Sequence, residues 1–573
     1  MPTDDAILCA IADEPRVELH RLVHADWLDD HGQPDRAELV RAQVELEKLP
    51  PASDRALELR RRAEDLLAEH EAGWMGEWAE RLVRWEWRGG YVHSATVEAD
   101  AWAKHGADLM RAFPLHQLAF VDREGGPVPP EAIEGVVRQP AFRAVRSLDT
   151  EAGGEESFHS NPPRVRAGRE WARRLAAAPE AGGLEELLFS GYGEDNGTRF
   201  PMADLAAAPH LARLRSLRIE AEPGFGDDEL DILAWCPTAY SLRDLRLPFT
   251  ALSAQSVVEL ASAPRFSGLR RLDLTGCSIG SEGVRAALDS SILSRVTALG
   301  LDFETDLPAL ARSPRLRRFT ELAFYPDAMD ETSDADWRDL ARTLGERPAL
   351  RSLTLEMSNL PSASLRHLLG SPAMAGLRRL RLQSVYEATL FPWDKVMTPA
   401  AFPDLAELEL EGCRFRSLRW LAEWPGLARL RSLVFGNMDR LDDLVQPLLL
   451  SPHFGTNLAA LSLPNGDHDE PLTLDTLLAL ARCERLGRLL DLRFDWEDIP
   501  AEAVAAFAES AFARRLTKLQ ITGHANSVIE AGLLAHPAFL PRLRELCICR
   551  LPEVTPPEQL RERFGPRLRL FHP

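Results

Sequence analysis

Along most of the chain, apolar residues recur at a spacing of three and then two, as L-x-x-L-x-L, with polar or charged residues between them. The clearest copies begin at Leu214, Leu242, Leu269, Leu350, Leu377 and Leu405. Degenerate copies at Leu115, Val145, Leu184, Val296, Phe319, Leu430, Leu458, Leu489, Leu516 and Leu543 bring the total to sixteen. The alternation over the last three places predicts a short strand, with places one, four and six facing inward and three and five facing out. Between the strands runs a helix-period pattern that stops at a proline, as in LAAAPHLARL, LASAPRFSGL and LLGSPAMAGL. Proline cannot continue a helix and disfavours helical backbone for the residue before it, so it ends each helix at one place. VHSATV from Val92 predicts one further strand at the N-terminal end, and Leu568 a closing half-strand.

Successive starts lie about 27 to 28 residues apart, within the leucine-rich-repeat range. No strand–helix unit can bury its leucines alone, so the units must stack. The predicted fold is α/β: a leucine-rich-repeat solenoid of about 16–17 repeats over residues 90–573, caps included, with a curved parallel sheet on the concave face and helices on the convex one. It is similar to the long-repeat, ribonuclease-inhibitor-like class. Cys277 and Cys413 both fall at place nine, where leucine-rich repeats turn the chain inward, and both are expected to be buried, inert thiols.

The period is absent before about Tyr91. There RLVHADWLDDHGQPDRAELVRAQVELEKLPP predicts two helices, the first ended by Gly32, the second opened by Pro34 and closed by Pro50 and Pro51. A third helix follows Ser53, a candidate N-cap. Ala25, Asp26, Trp27, Leu28, Gly32, Arg36, Ala37, Glu38 and Gln43 follow an ADWL-x-x-x-G-x-x-x-RAE-x-x-x-x-Q pattern, which resembles the repeat-companion domain found at the N-terminus of many bacterial repeat proteins. His24 stands where that family usually has tyrosine. The resemblance covers roughly fifty residues and implies architecture and lineage, with no enzymatic activity. The expected division is residues 1–89, a helical companion domain and linker helix, and 90–573, the solenoid.

Composition narrows the function. The net charge of −21 opposes binding to nucleic acid, which needs clustered cations, and favours a partner that is basic or carries a basic patch. Basic residues comprise sixty-three arginines against four lysines, which suits bidentate pairing with carboxylates. No run approaches eighteen apolar residues, and MPTDDAILCAIADEP lacks the positive charge of a signal peptide. Seven scattered cysteines do not form a disulfide framework. These features predict a cytoplasmic chain with reduced thiols and no membrane partner, and leave the oligomeric state open, a monomer being favoured.

Candidate chemistry is sparse. His24 and His31, with Asp26 and Asp30, could be read as a metal cluster of a metal-dependent enzyme, but the same residues suit a solvated helix face and a helix end. The acidic loop Asn465 to Asp475 lacks the glycine and glutamate of a calcium loop. Cys547 and Cys549 share a strand face but have no second ligand pair. Nucleophile-elbow, phosphate-loop, zinc-protease and kinase motifs are all missing. The expectation is therefore no enzyme, no cofactor and no metal.

What remains is a surface for a protein partner. Equal places on neighbouring strands should set Asp244 beside Arg271, Arg246 beside Asp273, Arg379 beside Glu407 and Arg381 beside Glu409. Just past the strands, Phe249, Phe303, Met357 and Trp496 at place eight and Tyr325 at place seven should line a rim, joined by Trp393 from a long loop. The expected function is a non-enzymatic interaction scaffold that uses its concave face and this rim. The ribonuclease-inhibitor likeness also permits an inhibitor or regulator that occludes a partner enzyme, for which a bacterial stress or defence operon would be a natural setting.

Overall fold

In the computed structural model of this protein, the residues described are 4–15, 17–123, 126–150, 162–190, 198–301, 307–324, 333–346, 350–356, 362–383, 393–398, 400, 402–412, 415, 417–436, 441–463, 472–495, 500–522, 540–549, 558–564 and 567–571. The chain forms two compact units, Met1–Leu272 and Asp273–Pro573.

The first unit opens with four helices, α1 (Asp4–Asp13), α2 (Glu18–Asp30), α3 (Pro34–Leu46) and α4 (Asp54–Met75). Their boundaries follow from local chemistry. Gly32 adopts a φ of +75° after α2, Pro34 occupies the first turn of α3, and the Ser53 hydroxyl accepts from the Ala56 N–H at the start of α4. Leu28, Ala37, Val40 and Val44 pack with Ile7, Ile11 and Tyr91 into one apolar cluster. Helix α1 was not foreseen, and neither was strand β1 (Leu82–Arg88), which pairs antiparallel with β2 (Tyr91–Glu98). Gly89 and Gly90 turn this hairpin with φ of +61° and +90°, the left-handed pair that a tight two-residue hairpin needs.

From β2 onward the named strands of the unit pair in parallel, through β3 (Gln117–Val121), β4 (Ser147–Asp149), β5 (Glu186–Ser190), β6 (Ser216–Glu220) and β7 (Asp244–Arg246). The place-four residues stand in one column, Ala95, Leu118, Leu148, Leu187, Leu217 and Leu245. Strand Arg271–Asp273 lies at the division between the units.

The second unit repeats the plan. Its parallel strands run from Ala298–Gly300 to Leu568–Phe571, and the column continues through Leu322, Leu353, Leu380, Leu408, Leu433, Leu461, Leu492, Leu519, Leu546 and Leu568. All sixteen expected starts precede a strand by two residues, and all sixteen leading side chains are buried. The chain is an α/β leucine-rich-repeat solenoid with helices at its N-terminal end.

The helical halves are joined by a device that the hydrophobic pattern does not reveal. A helix leaves its last carbonyls without intrahelical partners. Here a side chain of the following repeat supplies one: Arg315 Nη1 donates to Ala287 O at 2.7 Å, Ser371 Oγ to Ala341 O at 3.0 Å and Arg485 Nη2 to Leu449 O at 2.8 Å. His210 and Thr343 bond Leu175 O and Ala311 O in the same way. The prolines expected to end the helices do so, and each of Pro209, Pro264 and Pro372 opens a short 3₁₀ turn leading to the next strand.

Candidate protein-interaction surface

The outward places on the strands carry three of the four expected charge pairs. In the second unit Arg379 is in register with Glu407 and Arg381 with Glu409. Arg379 Nε lies 2.5 Å from Glu407 Oε2, and Arg381 reaches both Glu409, at 2.9 Å, and Glu411, at 3.1 Å. Gln383 adds a hydrogen bond to Glu411. Burial raises the Glu409 carboxyl above the usual carboxylate range despite the opposing pull of Arg381. In the first unit Arg271 Nε approaches Asp244 Oδ2 at 3.4 Å, while Arg246 makes a bidentate pair with Asp244 on its own strand. Pairs exposed to solvent contribute about 0 to 1 kcal/mol each, and these half-exposed ones set register and surface charge.

The far end of the second unit differs. Gln520, Glu545 and Cys547 hold outward places yet are buried, and the Cys547 thiol donates to Glu545.

At the rim, Phe249 is 47% exposed and its φ is +54°. The backbone explains the position. Place eight is where the strand turns away, and Ala221, Gly276 and Gly412, which hold it in other repeats, also have positive φ. Two of these are glycines, for which such a conformation carries little strain. A phenylalanine there is strained and half in water. Gly276 and Gly412 were the signal in the sequence that place eight is left-handed, and the reading of the rim as a row of aromatics passed over it.

Trp393 corrects that reading in another way. It is buried, stacked on Trp420 at 4.7 Å between centroids and edge-on to Phe415 at 5.6 Å, so its ring packs against the following repeat. Phe303, Tyr325, Met357 and Trp496, together with Cys413 and residues 465–471 of the acidic loop, lie outside the described residues. Cys277 is fully buried.

The N-terminal histidines have structural partners. His24 bonds the Tyr91 hydroxyl through Nδ1 and Asp4 through Nε2, both at 2.7 Å, while His31 Nδ1 bonds Trp27 O and its ring stacks on Trp27. Burial lowers the His24 pKa, with Asp4 opposing. Among the described residues no three histidine, cysteine or acidic side chains converge as a metal site. The motif residues serve the same architecture: Glu38 clamps Arg62 with two hydrogen bonds, and Gln43 Oε1 accepts from the Gly90 N–H at 2.7 Å. Among the described residues no helix is long and apolar enough to cross a membrane.

No protein-family model matches the sequence, and no curated protein does. Solved structures similar to this chain include an internalin from Listeria monocytogenes, at 14% identity and a TM-score of 0.30 over 59% of this chain and 87% of that one. Another is the yeast Rad7 and Elc1 complex, at 15% identity and a TM-score of 0.33 over 74% of this chain and 88% of that one.

Proposed function

We propose that this chain is a non-enzymatic scaffold that binds a protein partner through the strand-lined faces and strand-end rim of its repeats. Phe249 carries the reading. The backbone at that place is satisfied by glycine in two other repeats, whereas here it carries a strained, half-solvated aromatic ring. Arg246, Arg271, Arg379, Arg381, Glu407 and Glu409 supply the polar surround, and the net charge of −21 steers a basic partner, or a basic patch on one, toward it. The packed leucine columns make the surface rigid, so little ordering entropy opposes binding.

Residues 1–89 act in this reading as a companion domain that covers the first strands. His24, Gln43 and Glu71 hold the β1–β2 hairpin, Glu71 by accepting from both Trp85 Nε1 and Trp87 Nε1.

The test is affinity capture on the immobilised full chain from a lysate of its source cells, repeated with Phe249→Gly. Loss of a captured protein by about tenfold, with the melting temperature kept, is the expected result. Equal capture by both chains removes Phe249 from the interface.

A further inference from the structure

On the helix side of the first unit two aromatic rings stand in water. Trp235, the last residue of helix Asp227–Trp235, is 77% exposed, and Tyr240, in the turn Pro237–Tyr240, is 58% exposed. The repeats provide an internal comparison. Two places before the helix-ending proline, where this repeat has Trp235, others have Ala207, Ser262 and Gly370. Three places after it, where this repeat has Tyr240, others have Ala212, Ser267 and Ala375. The fold needs no ring at either place.

Arg265 of the following repeat fixes both rings without covering them. Its guanidinium carbon lies 5.6 Å from the Trp235 ring centroid and 5.2 Å from that of Tyr240, and its Nη1 donates to the Trp235 carbonyl. Held this way, the rings lose little freedom when a partner covers them, which is the property of an interface hot spot.

The electrostatic surroundings point to the occupant. Asp231 lies four residues before Trp235, one turn away on the same side of the helix. Its carboxyl meets that of Glu259 from the adjacent helix Ala254–Ser262, and among the described residues neither has a cationic partner. Burial and the Glu259 carboxyl raise the Asp231 pKa. A cationic side chain would relieve the repulsion between the two carboxyls, and the exposed Trp235 ring offers it a cation–π platform.

We infer that Trp235, Tyr240, Asp231 and Glu259 form a second docking surface, one that takes an arginine- or lysine-bearing segment of a partner protein. It does not rest on the strand-face reading, because Phe249 belongs to neither helix.

The probe is a fluorescein-labelled peptide of alternating arginine and glycine, titrated into the full chain at about 0.15 M ionic strength, where exposed charges beyond ~8 Å are screened. Fluorescence anisotropy reports binding. Trp235→Ala weakens it about tenfold, and Asp231→Asn with Glu259→Gln about fivefold or more. The equal charge change Glu131→Gln with Glu502→Gln, at exposed acids elsewhere, alters it less than about twofold. All variants melt as the parent does, because every substituted side chain is solvent-facing. Unchanged binding in Trp235→Ala overturns the proposal. So does equal weakening by the two acid pairs, which reports bulk charge, or equally tight binding of a glutamate–glycine peptide. A dimer seen by sedimentation that dissociates in Trp235→Ala also overturns it, making a second copy the occupant. Binding lost in Trp235→Ala but kept in Phe249→Gly separates this surface from the rim.

Discussion

The N-terminal helices with their hairpin and the repeats that follow are held together by different kinds of interaction. In the repeats of each unit the strands add leucines to a column, and several helix ends are capped by a side chain from the following repeat, so these contacts link neighbouring repeats. At the N-terminal end single polar bonds from the helices fasten the hairpin instead: His24 to Tyr91, Gln43 to Gly90 and Glu71 to Trp85 and Trp87. The first region tolerates variation in any one repeat because its neighbours repeat the same solution. The second has single points that nothing else duplicates. Periodic burial thus gives stability by addition, whereas the irregular end depends on particular residues.

The largest effect tests the additive half. Leu408, buried in the column between Leu380 and Leu433, should lose about 2 to 5 kcal/mol on replacement by alanine, because the transfer term and the cavity add. Urea denaturation measures it. A loss below ~1 kcal/mol would show that the repeats draw their stability from something other than the stacked leucines.

A smaller but local loss should follow Gly90→Ala. The residue sits at φ +90°, and a methyl group there would lie 2.6 Å from Val40 Cα of α3. The combined backbone and steric strain should approach about 2 kcal/mol. It should appear as faster amide exchange in α3 and the β1–β2 hairpin, with the second unit unchanged. Uniform exchange across the chain would mean that the hairpin is not the separate fastening described here.

Next comes a pH effect at the junction. His93 of β2 stacks on His116 at 5.1 Å, and burial first, then His116 and Arg88, lower its pKa to about 4, against weaker opposing pulls from Glu186 and Glu47. Above its ordinary value of 6.5 the ring is neutral folded or unfolded. As pH falls from there toward about 4, the unfolded chain takes up a proton that the folded chain refuses, so stability declines by at most about 1.4 kcal/mol per pH unit. His93→Asn should flatten that part of the stability–pH curve. An unchanged slope would place the acid sensitivity elsewhere.

The same contrast decides what could be read from sequence. The sixteen strands, the proline stops and the ladders Arg379 to Glu407 and Arg381 to Glu409 followed from spacing alone, because each is set within one repeat or between equal places of adjacent ones. Helices α2, α3 and α4 were legible from Gly32, Pro34 and Ser53. Strand β1 was not, since LVRWEWR has no partner of its own period and is defined by a hairpin and by Glu71. Trp393 was misplaced for a related reason: its covering neighbours, Phe415 and Trp420, lie beyond the next strand, the second of them in helix Arg419–Glu423, outside the strand period. The exposed Trp235 and Tyr240 were legible in principle, by aligning the proline segments with one another instead of the strands alone.

The smallest effect is the most discriminating, because it asks whether the repeat region obeys its own rule at Phe249. At an ordinary non-helical site alanine is more stable than glycine by about 0.4 to 1 kcal/mol, since it narrows the unfolded ensemble. At a left-handed site the Cβ penalty of roughly 1 to 2 kcal/mol opposes that advantage. Phe249→Gly should therefore be more stable than Phe249→Ala by about 0.5 to 1 kcal/mol, an inverted order, although both lose the same ring. Ala221→Gly, at the equivalent place of the preceding repeat with φ +49°, should gain a similar amount and serves as the control without an aromatic. Paired chemical denaturation curves resolve differences of this size when the slopes match. The inverted order at both places, with partner capture lost only in the Phe249 variants, would mean that the ring is kept against the preference of the backbone. The ordinary order at Phe249 would mean that its backbone relaxes once the ring is gone, and the strain argument for the rim would fail with it.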